Sequence, residues 1–212
     1  MKWEVQVSCR NFKSKEYKDI NLLPESHLLL GRVVQVSSGS APGFLKNCSD
    51  QIKVLLANTP GINWDDVESQ VIKPALEIVE NSSLSDEQKK AALKEKGLGE
   101  NISSFYGLSK ACVNTYTFIM SRKHPTILMN SCSPGWIETD LSRPGTDLGN
   151  GKRSGERPKG MLPVEKGTIA PIHLLMDELE GNGRYYGSDA KRSPMHKSRD
   201  PDKDPEYNGE FP

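Results

Sequence analysis

Apolar residues gather in a few short stretches set between long polar ones. The first is Gly31-Arg32-Val33-Val34-Gln35-Val36, followed by Ser37-Ser38-Gly39. A Val-rich run that ends in small polar residues predicts a parallel strand buried on both faces, with its C-terminal end facing a site. From Ser40 to Ser104 the chain turns polar, and two helical stretches are expected. Asn63 reads as an N-cap with Asp66 three residues on, and Ser85-Asp86-Glu87-Gln88 fits a capping box. Beyond Ser103 the pattern changes: Leu108, Ala111, Cys112, Thr115, Phe118 and Ile119 recur at steps of three and four, which predicts a helix with one buried face. It is expected to end near His124-Pro125. Thr126 to Cys132 reads as a second apolar strand, stopped by Ser133-Pro134-Gly135. Strand, helix, strand in this order predicts a right-handed crossover and a parallel sheet.

Residues 142 to 163 are Gly, Pro and charge and read as a loop. Val164 to Leu179 reads as a last helix that Pro171 bends, and Arg184 to Gly187 as a further strand. Trp3, Val5, Val7, Phe12, Ile20, Leu22 and Leu23 suit a helix over one face of the sheet. The domain organisation expected is therefore one body over 1–190, with an insertion at about 40–104, and an irregular surface tail over 191–212 without a function.

Composition narrows the function classes. The 28 Lys and Arg balance 28 Asp and Glu, so a polycationic nucleic-acid binder is excluded. Apolar residues make up 35% of the chain and the mean hydropathy is −0.59, which fits an ordinary core diluted by polar segments. No apolar run approaches the roughly 20 residues that cross a bilayer, and the first residues show no secretory signal. A cytoplasmic protein with no membrane and no nucleic-acid partner is expected. The four cysteines, Cys9, Cys48, Cys112 and Cys132, form no CxxC pair, so free thiols are expected and no metal site.

Candidate chemistry begins with Tyr106-Gly107-Leu108-Ser109-Lys110, which on a helix stacks a phenol and an ammonium one turn apart. A nearby cation favours the phenolate, as a general acid/base requires. The pair alone is a common surface pattern. It gains weight because Ser37-Ser38 ends the strand before it and Pro134-Gly135-Trp136-Ile137-Glu138-Thr139 follows the strand after it, and strand ends in a doubly wound sheet face one crevice.

In these motifs the chain resembles the short-chain dehydrogenase/reductase family, and within it the carbonyl-reductase-like branch. The 68 residues from Ser38 to Tyr106 match the helical insertion by which that branch departs from the rest of the family. The resemblance implies an α/β fold, an incomplete Rossmann-like doubly wound parallel sheet with a helical insertion. It implies NADPH-dependent reduction of a small-molecule carbonyl compound, with ketone, aldehyde and quinone all open. In that role Tyr106 protonates the substrate oxygen, Ser38 hydrogen-bonds the carbonyl, and Lys110 holds the nicotinamide ribose while activating Tyr106. Backbone at Pro134, Gly135 and Ile137 contacts the nicotinamide carboxamide, Thr139 its amide or the phosphates, and Trp136 lines the substrate pocket. Asn11 stands where the family has a fourth catalytic residue, although Ser14 replaces the glycine usual in that motif and Asn21 competes for the role.

The resemblance starts in the middle of the family's fold. A full member carries about four more strand-helix units before Asn11, including the Gly-rich turn for the pyrophosphate and the residues that tell NADPH from NADH. Gly149-Asn150-Gly151 is no substitute, because it follows no strand. Two readings stay open: part of a reductase whose parent enzyme is a monomer, or a non-catalytic family member that holds no dinucleotide. Without its neighbours, the Val33 to Val36 strand is expected to be an apolar sheet edge.

Overall fold

The protein's computed structural model describes residues 31–57, 61–100, 105–139, 142 and 159–209. Asn11, Asn21 and the helix expected before residue 30 lie outside these, as does most of the loop expected over 142–163.

Strand β1 (Gly31–Val36) leads into α1 (Ser40–Lys46) and α2 (Asp50–Ala57). Helix α3 (Trp64–Val67) continues through a π turn, Glu68–Ile72, into α4 (Lys73–Glu80), and α5 (Asp86–Glu95) follows. The long α6 (Phe105–Lys123) returns the chain to β2 (Ile127–Cys132). A 3-10 turn, Val164–Thr168, opens α7 (Ile169–Met176), and the short strands β3 (Tyr185–Tyr186) and β4 (Arg192–Ser193) complete the sheet. The sheet order is β1-β2-β3-β4. β1 and β2 are parallel, Gly31 opposite Ile127 through Val36 opposite Cys132; β2 and β3 are parallel, and β3 and β4 antiparallel. The fold is thus mixed α/β with a largely parallel open sheet.

Both expected helix starts are present. Asn63 Oδ1 accepts from Asp66 N at 3.0 Å while Asp66 Oδ2 accepts from Asn63 N at 3.2 Å. Ser85 and Gln88 make the same reciprocal pair. Each box satisfies two amides that a first helical turn leaves unpaired. Helices α1 and α2 escape the hydrophobic period because Pro42 and Gly43 read as breakers; burial of Ala41, Phe44 and Leu45 holds α1 in place. The helices between β1 and α6 share one core with α6, built on Leu45, Leu56, Val67, Val71, Leu93 and Ile119. Thr115 Oγ1 on α6 donates to Leu56 O at the end of α2, 2.7 Å away.

A second, smaller core packs Cys132, Ala170, Leu174 and Tyr186 against Val34, between the sheet and α7. Arg32, on the same side of β1 as Val34 by strand alternation, donates to the carbonyls of Leu174 at 3.2 Å and Asp177 at 2.5 Å. These are last-turn acceptors that a helix leaves open. Helix α7 accordingly stops at Met176, short of the expected Leu179. Pro171 is the third residue of α7, which follows directly on the 3-10 turn Val164–Thr168.

Two expectations need correction. β1 is half-buried rather than buried on both faces, and Val36 is 52% exposed. Among the described residues β1 has a neighbouring strand on one side only. The segment after Lys191 is no loose tail: it supplies β4, Tyr207 N donates to Arg192 O at 3.0 Å, and Arg192 stacks over the Tyr207 ring. Its contacts are polar and aromatic, which a search for apolar periodicity does not see. Among the described residues no helix is long and apolar enough to cross a membrane, and no cluster of His, Cys, Asp or Glu could hold a metal ion.

Candidate active site

The adjacent serines at the end of β1 part ways. Ser37 is buried and donates through Oγ to Lys110 O at 3.1 Å, pinning the strand end to α6. Ser38 opens onto a cleft, where its Oγ accepts from Ser40 N at 3.1 Å and its carbonyl accepts from Ala41 N. Those bonds form the turn that starts α1, so the Ser38 hydroxyl is held by backbone rather than by a long side chain.

Tyr106 stands in the first turn of α6, 58% exposed, and lines the same cleft. One turn on, the Lys110 ammonium lies 5.7 Å from the Tyr106 ring centroid and donates to Val36 O at 3.0 Å. Lys110 is therefore tethered to the last carbonyl of β1 and lies over the tyrosine ring, outside the cleft lining. Gly107 lets this happen: a Cβ there would stand 2.7 Å from Ser40 O and 2.8 Å from Phe44 Cβ.

Ser133 ties the strand ends together. Its Oγ accepts from Gly39 N at 3.0 Å and Gly135 N at 3.2 Å, and its own amide donates to Tyr186 O. Gly135 has φ +92°, a left-handed conformation that favours glycine. The chain then runs beside Leu162: Glu138 N donates to Leu162 O at 2.8 Å and Leu162 N to Trp136 O at 2.7 Å. Extended backbone alternates, so the Ile137 N–H points away from Leu162. Ser142 Oγ braces the turn by donating to Ile137 O and by accepting from Thr139 N.

The cleft these elements enclose measures about 930 Å³. It brings together Ser38, Tyr106, Pro134, Gly135, Trp136, Ile137 and Thr139, from three stretches of chain. Lys110 is not in the lining but lies over the Tyr106 ring, and Asn11 lies outside the described residues. Sequence reasoning missed Tyr185, Ser188, Ser198, Arg199 and Asp202 in the lining. Tyr185 could have been found, since it lies in the expected Arg184 to Gly187 strand beside β2. Burial pushes its phenol well above the ordinary tyrosine range, so it stays protonated. A separate hollow of about 620 Å³ between Phe44, Asn47, Lys94 and Leu98 touches no strand end. Its Cys48 thiol is pushed up to about 12 by burial, which removes it as a nucleophile at neutral pH.

No family model matches the chain. It is 30% identical over 146 residues to (+)-neomenthol dehydrogenase of Arabidopsis thaliana, a match spanning 68% of this chain and 40% of that protein. It is 28% identical over 163 residues to carbonyl reductase (NADPH) 3 of Rattus norvegicus, spanning 73% of this chain and 49% of the relative. Salutaridine reductase from Papaver somniferum, a solved structure, is similar with a TM-score of 0.50 at 21% identity, over 73% of this chain and 44% of that one. At that identity the likeness concerns the fold. The chain spans 28% to 52% of the length of the curated relatives it matches.

Proposed function

Since the chain belongs to the short-chain dehydrogenase/reductase family, we propose that its cleft serves the NADPH-dependent reduction of a small carbonyl compound, a ketone, aldehyde or quinone. The observation that supports this most is the convergence of Ser38, just past β1, and Tyr106, on α6, on one cleft with the Lys110 ammonium over the Tyr106 ring. Ser38 Oγ–H donates a hydrogen bond to the carbonyl oxygen, whose charge grows as the carbon is reduced. Tyr106 Oη–H gives its proton to that oxygen, and the alcohol forms. The nearby Lys110 stabilises the negative charge left on the phenolate, which takes its proton back from water. Asn11 completes the set on this reading.

NADPH, when bound, supplies the hydride. The residues present fit its nicotinamide end. The Ile137 N–H is turned away from Leu162 and free of that pairing, beside the Gly135 turn and Thr139, in a position to hold a carboxamide. The adenosine end is not assigned, because among the described residues no glycine-rich turn joins a strand to a helix. Trp136, half-exposed in the lining, offers an apolar face to the substrate. The reading carries with it a cytoplasmic setting, a monomeric protein, and no nucleic-acid or membrane partner.

The test is NADPH oxidation by the full chain with ketones, aldehydes and quinones, beside Tyr106→Phe. Turnover that falls by about 10²- to 10⁴-fold in the variant is expected for loss of a general acid. Equal rates in both, or no NADPH binding, would sink the proposal.

A further inference from the structure

The cleft has a wall that none of the family-like motifs supplies. After β4 the chain passes Pro194 and the buried His196, then brings Ser198, Arg199, Pro201 and Asp202 into the lining. The segment reaches across to the start of the helical insertion: a Cβ on Gly43 of α1 would lie 3.9 Å from Ser198 Oγ. It thus links the β3–β4 end of the sheet to the α1 end of the cleft.

Arg199 is one of its anchors. Arg199, its side chain 4% exposed, donates from Nε to Ser193 Oγ at 2.9 Å, from Nη1 to Asp204 O at 3.2 Å, and from Nη2 to Asp189 Oδ1. Asp189 sits in the turn between β3 and β4, so the guanidinium fastens that hairpin to the segment beyond it. The fit is close, since a Cβ on Gly187 would stand 2.8 Å from both Arg199 Nη2 and Asp189 Oδ1. A planar fork bonded on three sides to near neighbours has few ways to move. With its charge matched by Asp189, Arg199 is a clamp rather than an anion receptor.

From this arrangement the geometry points to residues 194–202 as the wall that sets the size of carbonyl compound admitted, with Arg199 as the positioning residue that fixes the wall. The inference rests on the carbonyl reading of the cleft. Ser198 is exposed and lies at the inner surface of the wall, so added bulk there enters the cleft and excludes wide substrates before narrow ones. Releasing the clamp does the reverse, because a loosened wall no longer discriminates.

The experiment is ligand-observed NMR on the full chain with NADPH, titrating cyclopentanone and the bicyclic 2-decalone, for the unsubstituted protein, Ser198→Phe and Arg199→Ala. In Ser198→Phe, decalone is expected to bind about tenfold more weakly while cyclopentanone changes by less than about twofold. In Arg199→Ala the ratio of the two affinities is expected to move toward one, with faster hydrogen exchange over 189–204 and unchanged exchange in α6. Should Arg199→Ala fail to fold, Ser198→Phe decides alone, as it alters an exposed hydroxyl. An unchanged affinity ratio in Ser198→Phe overturns the wall while leaving the carbonyl reading intact. Binding of neither ketone by the unsubstituted chain overturns the carbonyl reading and the wall's role with it.

Discussion

Gly107 and Ser40 meet so closely that a Cβ on the glycine would stand 2.7 Å from the serine's carbonyl oxygen. This contact of α6 with α1 lies one residue from Tyr106 and two from Ser38. The glycine has a packing reason, since any Cβ there would meet both Ser40 O and Phe44 Cβ. In Gly107→Ala either α1 or the first turn of α6 must shift, and Ser38 and Tyr106 move apart. The expected outcome is a loss of about 1–3 kcal/mol, as for overpacking elsewhere, read from urea unfolding. A fall in kcat/KM of at least about tenfold should accompany it, since small displacements of catalytic groups are costly. A variant as stable and active as its parent would show that the contact positions nothing.

Ser133 invites a second test. Its Oγ is the acceptor for Gly39 N and Gly135 N, one from each loop that borders the cleft. Ser133→Ala removes the shared acceptor of two part-buried amides, at an expected cost of about 1 kcal/mol in unfolding free energy. Because one loop carries Ser38 and the other the Pro134 turn, the variant is also expected to raise KM for both carbonyl and NADPH. An unaltered unfolding midpoint would refute the bracing role.

The motif-bearing elements were legible because each is written in local chemistry. β1, α6 and β2 follow from short-range hydrophobic patterning, and the starts at Asn63 and Ser85 follow from capping side chains three residues from their partners. The meeting of Ser38, Tyr106 and the Pro134 turn followed from strand ends sharing one crevice. What escaped depends on distant partners. Helix α1 forms across Pro42 and Gly43 because Phe44 and Leu45 find α6, some sixty residues away. Arg199 reads as one more surface charge until Asp189 and Ser193 surround it. Lys110 was expected beside the cofactor ribose, and its bond to Val36 O, 74 residues away in sequence, could not be read from helical spacing.

The buried thiols make a prediction with a definite sign. Burial pushes Cys112 and Cys132 from 9.0 up to about 12. In the folded chain both keep their protons while the unfolded chain begins to lose them near pH 9. The native state therefore binds more protons above that pH, and stability falls as pH rises from about 9 toward 12. Below pH 9 the contribution is fully present. Replacing Cys112 by Val should flatten the decline in urea midpoint on the alkaline side, and neither thiol should react with iodoacetamide at neutral pH without denaturant. Rapid labelling of the native protein at Cys112 or Cys132 would contradict the burial.

Arg32 offers the test of how β1 and α7 hold each other. The strand has a neighbour on one side only among the described residues, and its guanidinium reaches across to the Leu174 and Asp177 carbonyls at the end of α7. A cation at a helix C-terminus meets the negative end of the dipole as well as open acceptors. Arg32→Leu keeps an apolar side chain of similar reach to the first carbons of arginine but removes both bonds. A loss of about 1–2 kcal/mol is expected, near the low end for hydrogen bonds to a charged group because one of the two is exposed. The loss should be local: hydrogen exchange is expected to quicken over Ile169–Met176 and β1, while α6 and the core around Leu56 keep their protection. Uniform acceleration across the whole chain would instead mean that α7 and β1 unfold together with α6, and that the two cores behave as one cooperative unit.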